Sequence, residues 1–392
     1  MKTLIELYDE RPLENILAAE VLRPEQVIYL CPQEVVDSPA AKKSLTNYFA
    51  HRGIACRTEF ISSSQYNVSK ILRQLNNIME QYPDCVLDIT GGTDAALYAG
   101  GVLGGQKDIP VFTYSRKRNR FFNIANAAFV EEAPCEVSFS VEDCFLMAGG
   151  AMREGRVDNS VLSAYLSTFD GFFSLYLRFR RSWSGLVNWM QRASQVPKGE
   201  PIPLEVDAAY IQKGDRGERI SADPEALRAL QELGYIRNLS ISGKDRVSFT
   251  FKDEQIRTWL RDQGSVLELY VYKECLQSGL FHEVRTSAVV DWEGDFQRDN
   301  VTNELDVMCV SGITPAFISC KTCEIKTEAI NELAILRDRF GNGIARSAIV
   351  STEYAGTAAR RRAHELDIQI IDLNDLKEGS LLSALQTLMQ PE

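Results

Sequence analysis

A short stretch near the C-terminal end of the sequence, residues 303–310, alternates acidic and apolar residues. In a β-strand, Glu304 and Asp306 would share one face, while Leu305 and Val307 would share the other. Two carboxylates on one face of a buried strand are costly unless a cation or hydrogen-bond donors accompany them. The pattern therefore favours a functional site over an ordinary core strand.

The next apolar stretch, residues 316–321, supplies such a cation because it ends on Lys321. A hairpin turn across residues 311–314 would place Lys321 beside Asp306, with Ser319 on the same strand face as the lysine. Mg²⁺ and Mn²⁺ prefer carboxylate and carbonyl oxygens and lower the pKa of a bound water, and a lysine stabilises developing anionic charge. We therefore predict metal-assisted phosphodiester hydrolysis, although ordinary surface strands also carry Asp–Lys pairs.

A predicted helix before these strands adds one more acid, Glu268, as a further ligand. The predicted catalytic residues are Asp306, Lys321, Glu268, Glu304 and Ser319. The predicted metal ligands are Asp306, Glu268, Ser319 and Ile318.

The sequence divides into three predicted regions, whose folds must position these catalytic residues. Residues 1–145 alternate strand-like and helix-like segments, which predicts a mostly parallel, doubly wound, Rossmann-like sheet. Residues 264–392 follow an αβββαβαβ order, which predicts a mixed-sheet α/β domain. Between them, residues 146–263 are predicted as a linker, helical over 150–200. A helix and hairpin within 205–260 resemble part of a winged helix, but a plain connector is preferred because no recognition helix is evident.

A second candidate site lies in the N-terminal region, where residues 88–93 (Asp-Ile-Thr-Gly-Gly-Thr) join a buried strand to a helix. Paired glycines let a ligand approach the backbone, and a helix N-terminus at the carboxyl edge of such a sheet favours phosphates. A purely structural turn explains the glycines equally well. The predicted nucleotide-binding residues are Asp9, Glu10, Arg11, Thr90, Gly91, Gly92, Thr93, Asp94, Arg116 and Lys117.

The 392 residues carry a net charge of −11, whereas proteins that only coat nucleic acid are usually basic. Contacts with a nucleic-acid backbone would have to come from local basic patches, at residues 116–120, 178–181 and 360–362, although such a patch is more often just a solvated face. Nine scattered cysteines with a single CxxC, at Cys320 and Cys323, favour reduced thiols over a zinc site. No apolar run approaches the roughly 20 residues of a membrane helix, so a cytoplasmic protein is expected.

Around Asp306 and Lys321 the sequence resembles the PD-(D/E)xK nuclease superfamily, through residues 303–306 (Asn-Glu-Leu-Asp) and 319–322 (Ser-Cys-Lys-Thr). The resemblance implies a restriction-endonuclease-like domain, but Ser319 stands where that family has its second acid. The missing ligand could come from a carbonyl or from an acid placed elsewhere. The candidates are the carbonyls of Ile318 and Ser319 and the carboxylates of Glu304, Glu328 and Glu332.

The N-terminal region, through residues 88–93, resembles CARF domains, the sensors of cyclic oligoadenylates in type III CRISPR defence. That family often has lysine after Gly-Gly-Thr; here Asp94 stands there, and Arg116 or Lys117 could replace the lysine. Both regions together resemble CRISPR ancillary nucleases activated by cyclic tetra-adenylate. The resemblance implies a homodimer with one ligand on its two-fold axis, and DNA or RNA as the substrate.

Two other functions are compatible with the sequence. A ligand-controlled transcriptional regulator would use residues 205–260 to bind DNA, but this leaves Asp306 and Lys321 unexplained. A ring nuclease would degrade its own activator in the N-terminal domain, although no histidine lies at the predicted crevice.

Overall fold

The computed structural model of the chain describes residues 2–130, 132–297 and 299–390. The strands are β1 (Thr3–Leu7), β2 (Gln26–Cys31), β3 (Arg57–Ser62), β4 (Cys85–Asp88), β5 (Val111–Ser115), β6 (Arg120–Ala125), β7 (Ala151–Glu154), β8 (Glu205–Ala209), β9 (Ile211–Lys213), β10 (Arg219–Ser221), β11 (Ile236–Ser242), β12 (Arg246–Phe251), β13 (Glu283–Asp291), β14 (Thr302–Ser311), β15 (Thr314–Lys321), β16 (Arg346–Ser351) and β17 (Gln369–Ile371). The helices are α1 (Leu17–Leu22), α2 (Gln33–Val36), α3 (Pro39–His51), α4 (Val68–Gln81), α5 (Asp94–Gln106), α6 (Val141–Met147), α7 (Leu166–Phe179), α8 (Trp183–Ala193), α9 (Pro224–Glu232), α10 (Glu254–Leu260), α11 (Ser265–Gln277), α12 (Thr327–Phe340), α13 (Thr357–Glu365), α14 (Leu373–Lys377) and α15 (Leu381–Leu388).

The N-terminal sheet has the strand order β3-β2-β1-β4-β5-β6. Every neighbouring pair is parallel except the β5–β6 hairpin. Helices between successive strands cover both faces, which is why β1 and β2 are almost wholly buried, including the polar Thr3 and Glu6 of β1. The predicted doubly wound sheet is confirmed, and the carboxyl ends of β1 and β4 meet at the edge that carries Gly91 and Gly92.

The second sheet has the order β17-β16-β15-β14-β13-β7. Its C-terminal elements follow the predicted αβββαβαβ order, and α14 and α15 come after it. The prediction of continuous helix over residues 150–200 was wrong at its start, where β7 pairs antiparallel with β13. This short segment forms a strand because its backbone hydrogen-bonds to β13 at the edge of the sheet. Local sequence preferences cannot predict such tertiary pairing. The partition at residues 145 and 263 stays a prediction.

The connector contains the predicted helix and hairpin as α9 and β11–β12, with β8 as a third strand of the small sheet. Of the three apolar cores in the described residues, one lies between the N-terminal sheet and helices α4 and α5, and the other two hold the chain together. One core joins the N-terminal sheet to one face of the second sheet, and the other joins α7, α8 and the connector to the opposite face. In the part of the chain that the structure describes, no helix is both long and apolar enough to span a bilayer.

Candidate functional site

The carboxylate of Asp306 is the centre of the candidate catalytic site. Its Oδ2 atom accepts hydrogen bonds from the main-chain N–H of Cys320 at 2.6 Å and from Ser319 Oγ at 3.0 Å. The Nζ atom of Lys321 lies 3.5 Å from the same oxygen. The predicted meeting of Asp306 and Lys321 is therefore confirmed, and Ser319 serves as a hydrogen-bond donor to the first acid.

An irregularity in the sheet gives Asp306 this position. The ladder between β13 and β14 skips Ser287, whose φ is 53°, and Asp306 opposite it. Because β14 changes face at this point, Leu305 packs into one core and Val307 into the other. The prediction that these two residues share one face was wrong, since a regular period of two does not survive such an interruption.

Arg156, in the loop after β7, brings together a second set of acids that sequence reasoning did not connect. Its Nε lies 3.1 Å from Glu304 Oε1 and its Nη2 lies 3.7 Å from Glu268 Oε1. Its remaining terminal nitrogen pairs with Asp262. Ser287 fixes this loop, because its hydroxyl accepts from the Arg156 N–H at 2.9 Å and donates to Glu304 at 2.8 Å.

The electrostatics of the site show an excess of negative charge. Burial and then the nearby Asp306 carboxylate raise the pKa of Glu268 to about 8, although Arg156 acts in the opposite direction. Burial would lower the pKa of Lys321, but the Asp306 carboxylate and the Cys320 thiol raise it overall. A further cation at this cluster would therefore be favoured.

The types of ligand atom at this cluster suit a hard divalent ion, but their side chains are not all placed to coordinate one. Carboxylate and hydroxyl oxygens converge here, as Mg²⁺ or Mn²⁺ requires. Within residues 2–130, 132–297 and 299–390, however, no three His, Cys, Asp or Glu side chains are grouped closely enough to hold a metal. The guanidinium of Arg156 supplies positive charge among the acids, so a metal would compete with it.

A small cavity joins Asp306 to α12. It is lined by Glu304, Leu305, Asp306, Ile318, Ser319, Lys321, Ala329, Glu332, Leu333 and Leu336. Among the acids considered as a replacement for the missing second ligand, Glu304 and Glu332 line this cavity, whereas Glu328 lines a neighbouring depression beside Trp292. Glu332 also accepts a hydrogen bond from Asn303 Nδ2 at 2.8 Å.

The N-terminal crevice is built on two closely approached glycines. A Cβ atom at Gly91 would lie 2.9 Å from Asp9 Cβ, and one at Gly92, whose φ is 98°, would lie 2.8 Å from Leu7 Cβ. The Gly92 N–H donates to Asp9 Oδ2 at 3.2 Å, and Arg11 Nε lies 3.1 Å from the other oxygen of Asp9. These contacts exclude any residue larger than glycine without rearrangement.

Threonines on either side of the glycines hold the turn. The Thr90 N–H donates to Asp88 Oδ1 at 2.7 Å, and the Thr90 hydroxyl accepts from the Tyr114 N–H at 2.8 Å. Thr93 caps α5, and its hydroxyl donates to the Gln65 carbonyl at 2.8 Å. Asp94, the first residue of α5, is exposed. The structural role of both threonines and a phosphate-binding role for the N–H groups of the turn are compatible.

Arg116 reaches the same crevice from the β5–β6 turn and pairs with Glu14. Arg11 Nη2 lies 3.6 Å from the same Glu14 oxygen, so one buried carboxylate, which sequence reasoning missed, holds two predicted ligand-binding cations. Burial and then the neighbouring Arg11 lower the pKa of Arg116. Glu10 and Lys117, also predicted to bind nucleotide, are exposed, and Lys117 lines a cleft beside the crevice.

All three basic patches make structural contacts, and Arg116 of the first pairs with Glu14 as described above. Arg180 donates to the Thr352 carbonyl at 3.0 Å and pairs with Glu353. In the patch at residues 360–362, Arg360 Nη2 lies 2.6 Å from Asp372, and Arg362 donates to Asn331 at 2.9 Å. The patch at 116–118 lines a cleft between the β5–β6 hairpin and the β14–β15 turn, and Arg360 lines a separate cleft beside α13, β17 and α15.

The chain matches no family model and no curated protein. It is similar to the crystal structure of protein VC1899 from Vibrio cholerae, with a TM-score of 0.73, 18% identity, and coverage of 99% of this chain and 98% of that one. It is also similar to Can2 from Sulfobacillus thermosulfidooxidans, solved in complex with cyclic tetra-adenylate, with a TM-score of 0.71, 18% identity, and coverage of 99% and 97%.

The chain has the fold of these two proteins. A third structure, described as a type III CRISPR defence DNA nuclease activated by cyclic oligoadenylate, gives a TM-score of 0.50 at 15% identity. It matches 90% of this chain and 46% of that one. The predicted fold class, a CARF-like doubly wound sheet followed by a mixed α/β unit, is confirmed by the likeness over the whole chain. At these identities the likeness shows the fold alone.

Proposed function

We propose that this protein is a metal-dependent nuclease of the PD-(D/E)xK type that is switched on by a cyclic oligoadenylate, most simply cyclic tetra-adenylate. One observation supports the nuclease part of the proposal. The amine of Lys321 approaches a carboxylate oxygen of Asp306 from the adjacent strand, beside a cavity that Glu304 and Glu332 also line. The activator is inferred from the glycine crevice and from the cyclic tetra-adenylate in the similar Can2 structure.

A bound Mg²⁺ or Mn²⁺ would supply a hydroxide at neutral pH and neutralise charge on the phosphate. Asp306 and Glu268 would hold it with Glu304 or Glu332 if these side chains moved closer together, because no three acids of the described residues are grouped closely enough as they stand. Ser319 and the Cys320 N–H keep the Asp306 carboxylate oriented. Lys321 presents a protonated amine to the anionic charge that develops on the phosphate.

In the crevice, the N–H groups that follow Gly92 and the cations Arg11 and Arg116 would contact the phosphates of the activator. Because Glu14 holds both arginines, a bound phosphate would compete with that carboxylate. If the protein is a homodimer, one ring on its two-fold axis would meet two copies of this crevice. The substrate, DNA or RNA, would be bound mainly through its phosphates, with low sequence selectivity.

Cleavage of supercoiled plasmid, single-stranded DNA and single-stranded RNA tests this proposal. We expect cleavage with Mn²⁺ and cyclic tetra-adenylate together, and none after addition of EDTA. Asp306→Ala should abolish cleavage and Lys321→Ala should reduce it by roughly 100-fold or more, as is usual for loss of such a stabilising group. The exposed residues Asp338 and Lys326 supply matched controls, Asp338→Ala and Lys326→Ala, which should cut like the wild type. Full activity in EDTA, or in Asp306→Ala, would refute the assigned site.

A further inference from the structure

A loop of the second unit reaches the nucleotide crevice of the first. The loop, Gly341–Gly343, joins α12 to β16. A Cβ atom at Gly343, whose φ is 69°, would lie 3.1 Å from Arg116 Nη1 and 3.6 Å from Arg11 Cδ. The nuclease-like unit therefore contacts the two arginines that Glu14 holds, at a position where a Cβ atom would be in tight contact with the Arg116 guanidinium.

The middle residue of this loop, Asn342, is buried but incompletely bonded. Only 3% of its surface is exposed, and its φ is 54°. Among the residues that the structure describes, its Oδ1 atom has no hydrogen-bond partner. Because buried amide oxygens are nearly always bonded, this oxygen would gain a partner from a rearrangement of the loop or from a bound ligand.

The other end of α12 lies at the candidate catalytic site. Glu332, in the first half of the helix, lines the cavity that contains Asp306 and Lys321. Phe340, its last residue, packs against Phe145, with ring centroids 5.2 Å apart, just before the loop. A helix of 14 residues spans about 20 Å, so one rigid element connects the two sites.

We propose that the contact between Gly343 and Arg116 is where the nuclease unit detects a bound nucleotide. The inference rests on the function proposed above. A phosphate in the crevice competes with Glu14 for the Arg116 guanidinium, because bidentate phosphate pairing is strong. When Arg116 changes partner, the loop against it must shift, and α12 carries the shift to Glu332. The ligand acts by binding the two loop positions with different affinities.

Two glycines provide a matched test. Gly379, between α14 and α15, also has a φ of 69°, but a Cβ atom there would meet nothing within 4 Å. Gly343→Leu and Gly379→Leu therefore carry the same backbone strain, and only Gly343→Leu wedges a side chain against Arg116. At saturating cyclic tetra-adenylate, we expect Gly343→Leu to cut at least fivefold more slowly than Gly379→Leu. Equal maximal rates would overturn the inference.

Hydrogen exchange on the wild type supplies a second measurement that needs no variant. Addition of cyclic tetra-adenylate should change the exchange of amides at residues 337–345 as well as at residues 88–94. A change confined to residues 88–94 would overturn the inference while leaving the proposed function intact. If no oligoadenylate activates the wild-type protein, the proposed function itself fails, so the two failures are distinguishable.

Discussion

At the scale of single residues, Arg156 changes how the catalytic cluster is understood. Its guanidinium contacts Asp262, Glu268 and Glu304, and all three raise its pKa although burial would lower it. In the absence of metal it offsets repulsion among these acids. The same positive charge would oppose a divalent ion at this cluster, since unit charges about 4 Å apart interact by roughly 1–4 kcal/mol at the dielectric of water or of a protein surface.

The first prediction follows from this competition. Arg156→Gln should tighten Mn²⁺ binding by roughly 5-fold or more, while lowering the melting temperature measured in EDTA. Titration calorimetry with Mn²⁺ alone measures the affinity without any substrate. Arg153→Gln, three residues earlier on β7 and stacked over Phe296, is the control and should keep the wild-type affinity. Unchanged Mn²⁺ affinity in Arg156→Gln would show that the arginine does not occupy the metal position.

The second prediction concerns Asp88, whose pKa burial raises to about 7 despite hydrogen bonds from Thr90. The pKa of Asp88 in the folded protein lies above the ordinary aspartate pKa near 4. The protonated carboxyl therefore contributes its full stabilisation of the folded state below about pH 4, and this stabilisation is lost as pH rises through 7. Asp88→Asn keeps an oxygen for Thr90 but cannot ionise. The melting temperature of the wild type, relative to Asp88→Asn, should therefore fall between pH 5 and pH 8.

The neighbours of Asp88 qualify this experiment. Glu6 lies opposite Asp88 in the β1–β4 ladder and is also buried, with its pKa raised well above the usual range by burial and then by Asp88. Asp88→Asn should therefore reduce the pH dependence rather than remove it. Asp84→Asn, at an exposed position, is the control. A pH profile of Asp88→Asn identical to the wild type would contradict the assignment.

Which residues could be predicted from sequence depends on how far apart their partners lie in the chain. Asp306 and Lys321 are joined by one hairpin, so the predicted turn between their strands was enough to bring them together although the strand alternation fails at Asp306. Arg156 lies 148 residues from Glu304, and no periodic pattern connects them. Glu14 was missed for a related reason: its partner Arg116 comes from the last hairpin of the sheet, and a buried glutamate in a short helical turn carries no local signal.

At the scale of elements, the interruption of the β13–β14 ladder positions the acids. Ser287 sits there at a φ of 53°, a region that costs a residue with a side chain roughly 1–2 kcal/mol. Its hydroxyl links the Arg156 loop to Glu304. Ser287 therefore provides both the left-handed backbone conformation at the interruption and the hydroxyl that joins Arg156 to Glu304.

Two substitutions separate these contributions, as the third prediction. Ser287→Gly removes the hydroxyl and relieves the left-handed strain, whereas Ser287→Ala removes the hydroxyl and keeps the strain. Urea unfolding should find Ser287→Gly the more stable variant by about 1 kcal/mol. Cleavage rates of both should fall by similar factors, because both lose the link to Glu304. If Ser287→Ala is as stable as Ser287→Gly, the backbone is not strained at this position.

Elements were predictable where apolar runs or caps are strong. The sequence predicts strands at residues 3–8, 27–31 and 85–90 and helices at residues 38–51 and 67–81, and β1, β2, β4, α3 and α4 lie close to those positions, the two helices beginning after Ser38 and Asn67 caps. The short strand β7 was not predictable, because its four residues become a strand only by pairing with β13, more than 130 residues away. Elements that tertiary pairing creates are absent from local sequence patterns.

At the scale of the whole molecule, the glycine crevice and the cavity beside Asp306 lie on different sheets but share one apolar core. Phe145, Phe317 and Phe340 of this core connect α6, β15 and α12 to the N-terminal sheet. Close-packed interiors deform little, so a shift at one side is transmitted rather than absorbed. If the proposed function is correct, this arrangement would let a ligand in the crevice control cleavage at the cavity.

The last prediction tests that control at the crevice itself. Gly92→Ala places a methyl group 2.8 Å from Leu7 Cβ at a φ of 98°, whereas Gly53→Ala, at a φ of 63°, meets nothing within 4 Å. We expect Gly92→Ala to raise the cyclic tetra-adenylate concentration for half-maximal cleavage by roughly 10-fold, and Gly53→Ala to leave it unchanged. At saturating activator, Gly92→Ala should regain the wild-type rate, because Asp306 and Lys321 are untouched. Activation of the wild type should lie near 5–150-fold if the coupling is about 1–3 kcal/mol. Equal cleavage with and without every cyclic oligoadenylate, or superimposable activation curves for the two variants, would show that this crevice does not control the nuclease.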